Sequence, residues 1–317
     1  MKTFFLTISF VILATSYTAN KALLTTLPIH FLSSFKLVVS ALFFLGVICY
    51  KKTFFQLTQK LKQDFWLITF ICIIATAIPY YLKMYTLKHL NSSVAMLIGS
   101  LDPFITAFYS YFIFHERLEK HKILGILLGF FSVFLLLSSR FPVALEVSKE
   151  TYIWSIITGI AAIFIGRYGW ICTKKLLDVD RYSYAEINLL ILMGSGIVFV
   201  SASLFFQGVF SVAYFDYHAL NKKTILLLLY TTIASNIFFY YVYSYFIKNY
   251  PITQVSYTGL IIPLSSHFLG WFFLEEGLSI SFILSFSMMA LSYLTYYFAG
   301  FTSRIKAPKE NQLTPYE

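Results

Sequence analysis

The chain has 317 residues, of which 58% are hydrophobic and 12% are charged, and its mean hydropathy is +0.74. A soluble domain carries about 25% charged residues, so this composition excludes a mainly soluble protein and indicates a polytopic membrane protein. The net charge of +10 does not indicate a nucleic-acid partner, because the basic residues fall in short connections between apolar runs.

Ten runs of the sequence are long enough to cross the ~30 Å of hydrocarbon in a bilayer. In chain order they cover residues 4–20, 29–50, 64–82, 91–114, 122–139, 151–171, 184–206, 223–247, 251–274 and 279–300. The connections between them are short, so the sequence predicts an all-α integral membrane protein with ten transmembrane helices. The polar residues 302–317 are expected to form a cytoplasmic tail.

The distribution of Lys and Arg predicts the orientation of these spans. With the N-terminus in the cytoplasm, 15 basic residues fall on the inner side of the membrane and seven on the outer side. Because basic residues are enriched in cytoplasmic loops, both termini are predicted to be cytoplasmic.

The chain contains an internal repeat. Residues 80–118 align without a gap with residues 240–278, and the two segments share ten identities. The shared residues include the prolines Pro103 and Pro263. A repeat of this length indicates that the chain consists of two related halves.

A second internal match pairs Tyr17-x3-Lys21 with Trp170-x3-Lys174. The predicted halves are residues 1–142 and 143–301, and each then holds five helices. An odd number of spans inverts the second copy in the membrane. Inverted repeats are typical of secondary transporters, in which two equivalent half-structures open in turn around one central site.

Several motifs in these halves resemble those of a known family. The motifs at the first two, fourth and ninth helices are Tyr17-Thr18-Ala19-Asn20-Lys21, Pro28, Phe35-Lys36, Asn91-Ser92-Ser93-Val94-Ala95, Pro103, His115-Glu116-Arg117-Leu118, Pro263 and Glu275-Glu276-Gly277-Leu278. They resemble the drug/metabolite transporter superfamily, specifically the EamA-type exporters with ten helices. Tyr17 stands where that family has Trp, and Lys36 stands where it has Arg. The resemblance implies a transporter architecture and assigns no role to Asp102.

Asp102 is the leading candidate for a functional residue. It lies in the middle of an apolar run, roughly 16 Å from either membrane surface at ~1.5 Å per residue. A carboxylate at that depth costs about 2.5–3.5 kcal/mol on insertion scales, which is tolerated where it faces a cavity or a partner. Asp102 can bind a substrate amine or carry a coupling proton. The structural alternative is that it joins two helices by pairing with a base such as Lys36.

Lys36 and Arg167 are the two basic residues within the predicted spans. Each can contribute to a site or can extend its stem to the membrane surface. Surface extension is the expectation for Arg167, because it lies four residues from the predicted inner end of its helix. An acid and two bases inside the spans suit a zwitterionic substrate.

The other candidates are polar, aromatic and helix-kinking residues near the middle or the ends of spans. Those for substrate binding are Tyr17, Tyr80, Trp170, Asn236, Tyr240 and His267. Those for kinking or gating are Pro79, Pro103, Pro263, Glu116 and Glu276. For any single aromatic residue, and for His267, helix packing is the alternative role.

The sequence contains no nucleotide-binding loop, paired cysteines or zinc-binding helix motif, so we expect no cofactor, no metal and no enzymatic activity. It predicts a secondary active transporter of the bacterial inner membrane that exports small polar metabolites, such as amino acids or related amines, by alternating access. The expected partners are the lipid bilayer, a small-molecule substrate and, as a candidate coupling ion, a proton. The protein is expected to be a monomer or a homodimer.

One alternative within this fold is uptake or exchange of a larger metabolite, such as S-adenosylmethionine or a nucleotide-linked compound. Alternatives of other classes are a lipid-modifying membrane enzyme and a channel.

Overall fold

The structure is a computed structural model that describes residues 2–90, 95, 98–115, 119–138, 148–205, 220–265, 268 and 280–306. Within these residues the regular secondary structure is helical, with no strand. The helices with defined ends are α1 (Lys2–Leu24), α2 (Ile29–Tyr50), α3 (Phe54–His89), α4 (Asp102–Phe114), α5 (Lys120–Ser138), α6 (Lys149–Asp178), α7 (Tyr184–Phe205), α8 (Lys222–Asn249), α9 (Ile252–Thr258) and α10 (Ile280–Lys306).

Five helices in the described part of the chain, α2, α3, α6, α7 and α8, are long and apolar enough to cross a membrane. Large apolar side chains such as Leu42, Phe131 and Ile283 are exposed on the outer surface. An apolar surface of this kind suits contact with lipid. The helical backbone suits it as well, because its hydrogen bonds are satisfied within each helix. The predicted all-α membrane protein is therefore confirmed.

Several helices extend beyond the predicted spans. Helix α3 begins at Phe54 and is kinked at Asp64, where the span was predicted to begin. Helix α10 continues to Lys306, so the predicted tail begins inside a helix, and residues 307–317 lie outside the described part. Hydropathy marks where lipid contact ends, whereas the helical hydrogen bonds continue through polar residues of good helix propensity.

The fourth predicted span is interrupted instead of continuous. Ser100 and Leu101 form a turn, and α4 begins at Asp102. The ninth span has a similar break, since Gly259 and Leu260 form a turn between α9 and a helical stretch at 261–265. Discontinuous helices of this kind place helix ends inside a membrane protein, where they can contact a ligand.

Helices α3 and α8 each contain a π-helical segment, at Cys72–Ala77 and Thr232–Phe238. The first residues of the two segments, Cys72 and Thr232, match in the register that aligns residues 80–118 with residues 240–278. A π-helical turn widens the backbone locally and is frequent at functional sites. Each segment ends two or three residues before a tyrosine that was predicted as a site residue, Tyr80 or Tyr240.

Helices α5 and α10 pack through a reciprocal pair of hydrogen bonds. Ser132 Oγ donates to the Ser285 carbonyl at 2.6 Å, and Ser292 Oγ donates to the Gly125 carbonyl at 2.6 Å. In the same repeat register Ser132 matches Ser292, and Gly125 matches Ser285. Residue numbers rise along one helix as they fall along the other, so the two helices are antiparallel.

Two lysines hold the C-terminal ends of the π-containing helices. Lys21 Nζ donates to the Leu87 carbonyl at 2.7 Å, and Lys174 Nζ donates to the Ile247 carbonyl at 2.7 Å. An ammonium group at a helix C-terminus satisfies carbonyls that have no partner within the helix, and it complements the helix dipole. The lysines of the matched Tyr/Trp-x3-Lys motifs therefore connect α1 with α3 and α6 with α8 through hydrogen bonds.

Candidate functional site

A cavity of about 180 Å³ lies between helices contributed by both predicted halves. Helices α1, α3, α6 and α8 and the interrupted regions around α4 and α9 form its wall. Eight of the residues predicted to function line it: Tyr17, Tyr80, Asp102, Arg167, Trp170, Asn236, Tyr240 and Pro263.

Aromatic rings form the middle of the cavity wall. Tyr17 and Trp170 occupy positions that the second internal match pairs, and Tyr80 and Tyr240 occupy positions that the longer repeat pairs. The Trp170 ring packs edge-on against Tyr240 and Tyr243, with centroid separations of 5.3 and 4.8 Å. These flat surfaces can enclose an apolar or cationic part of a ligand.

An ion pair lies beside these rings. Arg167 Nε donates to the Asp102 carboxylate, and Arg167 Nη1 donates to the Tyr243 hydroxyl. The Arg167 side chain is 11% exposed and the Asp102 side chain is 20% exposed, so the two charges interact in a largely desolvated environment. Asp102 is therefore paired with Arg167 and not with Lys36.

Arg167 does not extend to the membrane surface, contrary to the expectation from the sequence. Its guanidinium group donates to Asp102 and Tyr243, which both line the cavity, so the side chain extends toward the cavity. The sequence showed the distance of Arg167 from the edge of the apolar run, but not these partners on other helices.

Lys36 lies next to the cavity and is fully buried. Its Nζ atom donates to Asn20 Oδ1 at 2.9 Å and to Ser235 Oγ at 3.1 Å. Both partners are neutral and both line the cavity. Among the described residues, no carboxylate forms an ion pair with Lys36.

Asn236 lies on the cavity wall with no exposure to solvent. Its Oδ1 atom is 2.7 Å from Ser235 Oγ, whereas its Nδ2 atom has no hydrogen-bond partner among the described residues. The neighbouring Tyr80 hydroxyl faces Asn236 without forming a hydrogen bond of normal geometry. Because the two groups face each other, one donor is left for a ligand at this part of the wall.

Lys83 is a cavity residue that the sequence interpretation missed. It follows the third predicted span, residues 64–82, but α3 continues past it to His89. It lines the cavity together with Asp102 and Arg167. The repeat aligns Lys83 with Tyr243, but only the structure shows that Tyr243 lines the cavity, so the alignment alone could not identify Lys83.

The remaining predicted residues divide into two groups. Pro79 and Pro103 are buried beside the cavity, and Pro79 lines a smaller adjoining space of about 50 Å³. His267, Glu116 and Glu276 lie outside the described residues. The described residues contain no group of His, Cys, Asp and Glu that could hold a metal ion.

A second ion pair lies away from the cavity, where α3 meets the connection between α6 and α7. Arg181 Nη1 is 3.1 Å from Asp64 Oδ1, and the Tyr182 hydroxyl donates to Asp64 Oδ2 at 2.8 Å. Burial, and then this hydrogen bond, raises the pKa of the Tyr182 hydroxyl. Asp64 provides a matched control for experiments on Asp102.

Comparisons with known proteins show similarity along nearly the whole chain. The profile of the EamA-like transporter family matches residues 2–138 and 153–298. A protein of Chlamydia muridarum called an S-adenosylmethionine/S-adenosylhomocysteine transporter is 24% identical over 296 residues, which are 92% of this chain and 90% of that protein. A protein of the same name from Chlamydia trachomatis serovar L2 is 24% identical over 298 residues, which are 92% of this chain and 87% of that protein.

A solved crystal structure that is 12% identical has the same fold. It superposes with a TM-score of 0.76 and covers 96% of this chain and 98% of its own. The apolar helices and the family and Chlamydia matches together identify a multi-pass membrane protein that transports small molecules and is not an enzyme. The chain belongs to the EamA-like transporter family.

Proposed function

We propose that this protein is a secondary active transporter in which two inverted five-helix halves, residues 1–142 and 143–301, expose the cavity alternately to each side of the membrane. The observation that carries this proposal is the cavity itself, which is lined by matched positions of both halves, Tyr80 with Tyr240 and Tyr17 with Trp170. A site shared by two equivalent half-structures can open toward either side at similar energetic cost.

The reciprocal bonds between α5 and α10 support the inversion. Ser132 of one half matches Ser292 of the other, and each binds the residue that matches the other's partner. Such a reciprocal contact is expected where a two-fold axis relates the two halves. Since α5 and α10 are antiparallel, an axis of this kind would lie perpendicular to them, in the membrane plane, as the proposed inversion needs.

The charges at the cavity support a zwitterionic metabolite, such as an amino acid or an amino-acid derivative, as the substrate. Asp102 can receive an ammonium group, while Arg167 and Lys83 can receive a carboxylate. Charged hydrogen bonds in a desolvated site are short and roughly twice as strong as neutral ones. The substrate would exchange partners with the existing ion pair, so neither charge would be left unpaired during binding.

A narrower candidate is S-adenosylmethionine or S-adenosylhomocysteine. Both Chlamydia relatives carry these compounds in their names and align over nine-tenths of this chain. The aromatic wall of Tyr17, Tyr80, Trp170 and Tyr240 suits the nucleoside part of such a ligand, and a zwitterionic head suits Asp102 and its neighbours.

The cellular setting follows from the basic residues and the fold class. We place the protein in the bacterial inner membrane, with both termini in the cytoplasm, as a monomer or homodimer. Export is our primary proposal for direction, with uptake or exchange as the alternative. A proton is the proposed coupling ion.

Counterflow in proteoliposomes tests the function. Vesicles loaded with unlabelled S-adenosylhomocysteine, or with a mixture of amino acids, should accumulate the labelled compound transiently, and this accumulation should saturate. Asp102→Asn should abolish it, while Asp64→Asn at the remote ion pair should leave it largely intact. Equal activity of Asp102→Asn and the unaltered protein would refute the role of Asp102, and flux without saturation would indicate a channel.

A further inference from the structure

We infer that the cavity binds the two parts of its ligand at two chemically different ends. Asp102, Arg167 and Lys83 bind an amino-acid head, and Asn236 with Tyr80 binds a planar nitrogen heterocycle nearer the N-terminal end of α8. This inference rests on the transport function proposed above and specifies its substrate class as an amino acid linked to a nucleoside.

The distance between the two ends is set by α8. Asn236, Tyr240 and Tyr243 all line the cavity at spacings of four and three residues, so they follow one face of the helix. Seven residues at ~1.5 Å each separate Asn236 from Tyr243 by roughly 10 Å. Tyr243 accepts a hydrogen bond from Arg167, so it marks the charged end.

The charged end suits an amino-acid head because it contains both signs. Among the described residues that line the cavity, Asp102 is the one carboxylate, so a substrate ammonium group has a partner at this end alone. The matched position of Asp102 in the second half is Ile262, and that of Lys83 is Tyr243. The repeat therefore does not reproduce these charges, and the ligand has one preferred orientation.

The Asn236 end suits a heterocycle because the side chains that line it are neutral and keep a donor available. Asn236 Nδ2 and the Tyr80 hydroxyl are buried and face each other, and neither forms a hydrogen bond of normal geometry. If Asn236 donates to the Tyr80 oxygen, the Tyr80 hydroxyl proton is left for an acceptor on the ligand, which would recover the free energy that an unpaired buried donor costs. The ring nitrogens of a purine are acceptors in the ring plane, and Tyr240 and Trp170 provide flat surfaces between this end and the ion pair.

The test measures competition with labelled S-adenosylhomocysteine on the purified full-length protein in detergent. The competitors are unlabelled S-adenosylhomocysteine, which has both parts, and 5′-methylthioadenosine, which lacks the amino-acid head. Asn236→Ala should weaken both by about 3- to 10-fold, as expected for one neutral hydrogen bond. Asp102→Asn should weaken S-adenosylhomocysteine by about 10- to 100-fold and leave 5′-methylthioadenosine unchanged, as expected for a charged hydrogen bond.

Asn188→Ala is a matched control. Asn188 is equally buried, its Oδ1 atom accepts from Ser244 at 3.0 Å, and its Nδ2 atom also lacks a partner in the described part of the chain. It does not line the cavity. The variant should therefore bind both ligands normally.

Three results would overturn the assignment: equal weakening in Asn188→Ala and Asn236→Ala, equal weakening of both ligands by Asp102→Asn, or no competition by 5′-methylthioadenosine. Counterflow of amino acids without binding of S-adenosylhomocysteine would also overturn it, while leaving the transport function intact. Absence of counterflow with every compound would instead refute the transport function.

Discussion

Among the glycines in the described part of the chain, Gly169 on α6 is the one where an added methyl group would come closest to another backbone. A Cβ atom there would lie 2.5 Å from the Ala75 nitrogen, and closer still to the Ala75 Cα atom, in the π-helical segment of α3. Nonbonded carbon atoms need about 3.5–4.0 Å, so one helix must move by roughly 1 Å. Because the obstructing atoms are backbone, no side-chain rotation relieves the clash. Overpacking of this kind costs about 1–3 kcal/mol.

Gly46→Ala is the matched control for Gly169→Ala. Gly46 lies in α2, and a Cβ atom there would meet nothing within 4 Å. Both substitutions replace helical glycine and share a propensity gain of about 1 kcal/mol, so their difference in stability isolates the clash. Thermal unfolding in detergent measures that difference, and counterflow measures the effect on the adjacent Trp170. If Gly169→Ala unfolds at the same temperature as Gly46→Ala, the close contact of α6 with α3 is wrong.

Four further substitutions test other features of the structure. Lys21→Met should lower stability by about 1.5–3 kcal/mol, since it removes a charged donor from the Leu87, Lys88 and Leu90 carbonyls. Lys174→Met should lower stability by a similar amount through loss of its bonds to the Ile247 carbonyl and the Asp178 carboxylate; an unchanged unfolding temperature in either variant would contradict the role of that lysine at the helix end. Ser132→Ala should lower stability by about 0.5–1.5 kcal/mol through loss of its bond to α10, and an unchanged unfolding temperature would show that this bond contributes nothing. Lys36→Met should not lower stability, because it removes a buried charge with neutral partners, but it should impair counterflow; a markedly less stable protein would indicate an anionic partner.

The sequence predicted the helical membrane architecture, and eight of its candidate residues lie on the cavity wall. Asp102 was identifiable from the cost of a carboxylate in an apolar run, and Tyr80 and Tyr240 from the repeat. Lys83 was missed because hydropathy locates the edge of the apolar run, whereas α3 continues as a helix past that edge. The expectation that Arg167 extends to the membrane surface was wrong because its partners, Asp102 and Tyr243, lie on other helices, and hydropathy does not show which helices meet.

The amino-acid sequence by itself determined the helical class, the membrane setting, the internal repeat and the presence of acid and base within the spans. Those properties follow from composition and from periodic patterns, which are local along the chain. Only the tertiary structure decided that Asp102 pairs with Arg167, that Lys36 meets Asn20 and Ser235, and that Asn236 keeps a donor unused on the cavity wall. Asp102 and Arg167 are 65 residues apart, and Lys36 and Ser235 are 199 apart. Such contacts depend on how helices pack and where they break, and hydropathy carries no information about either.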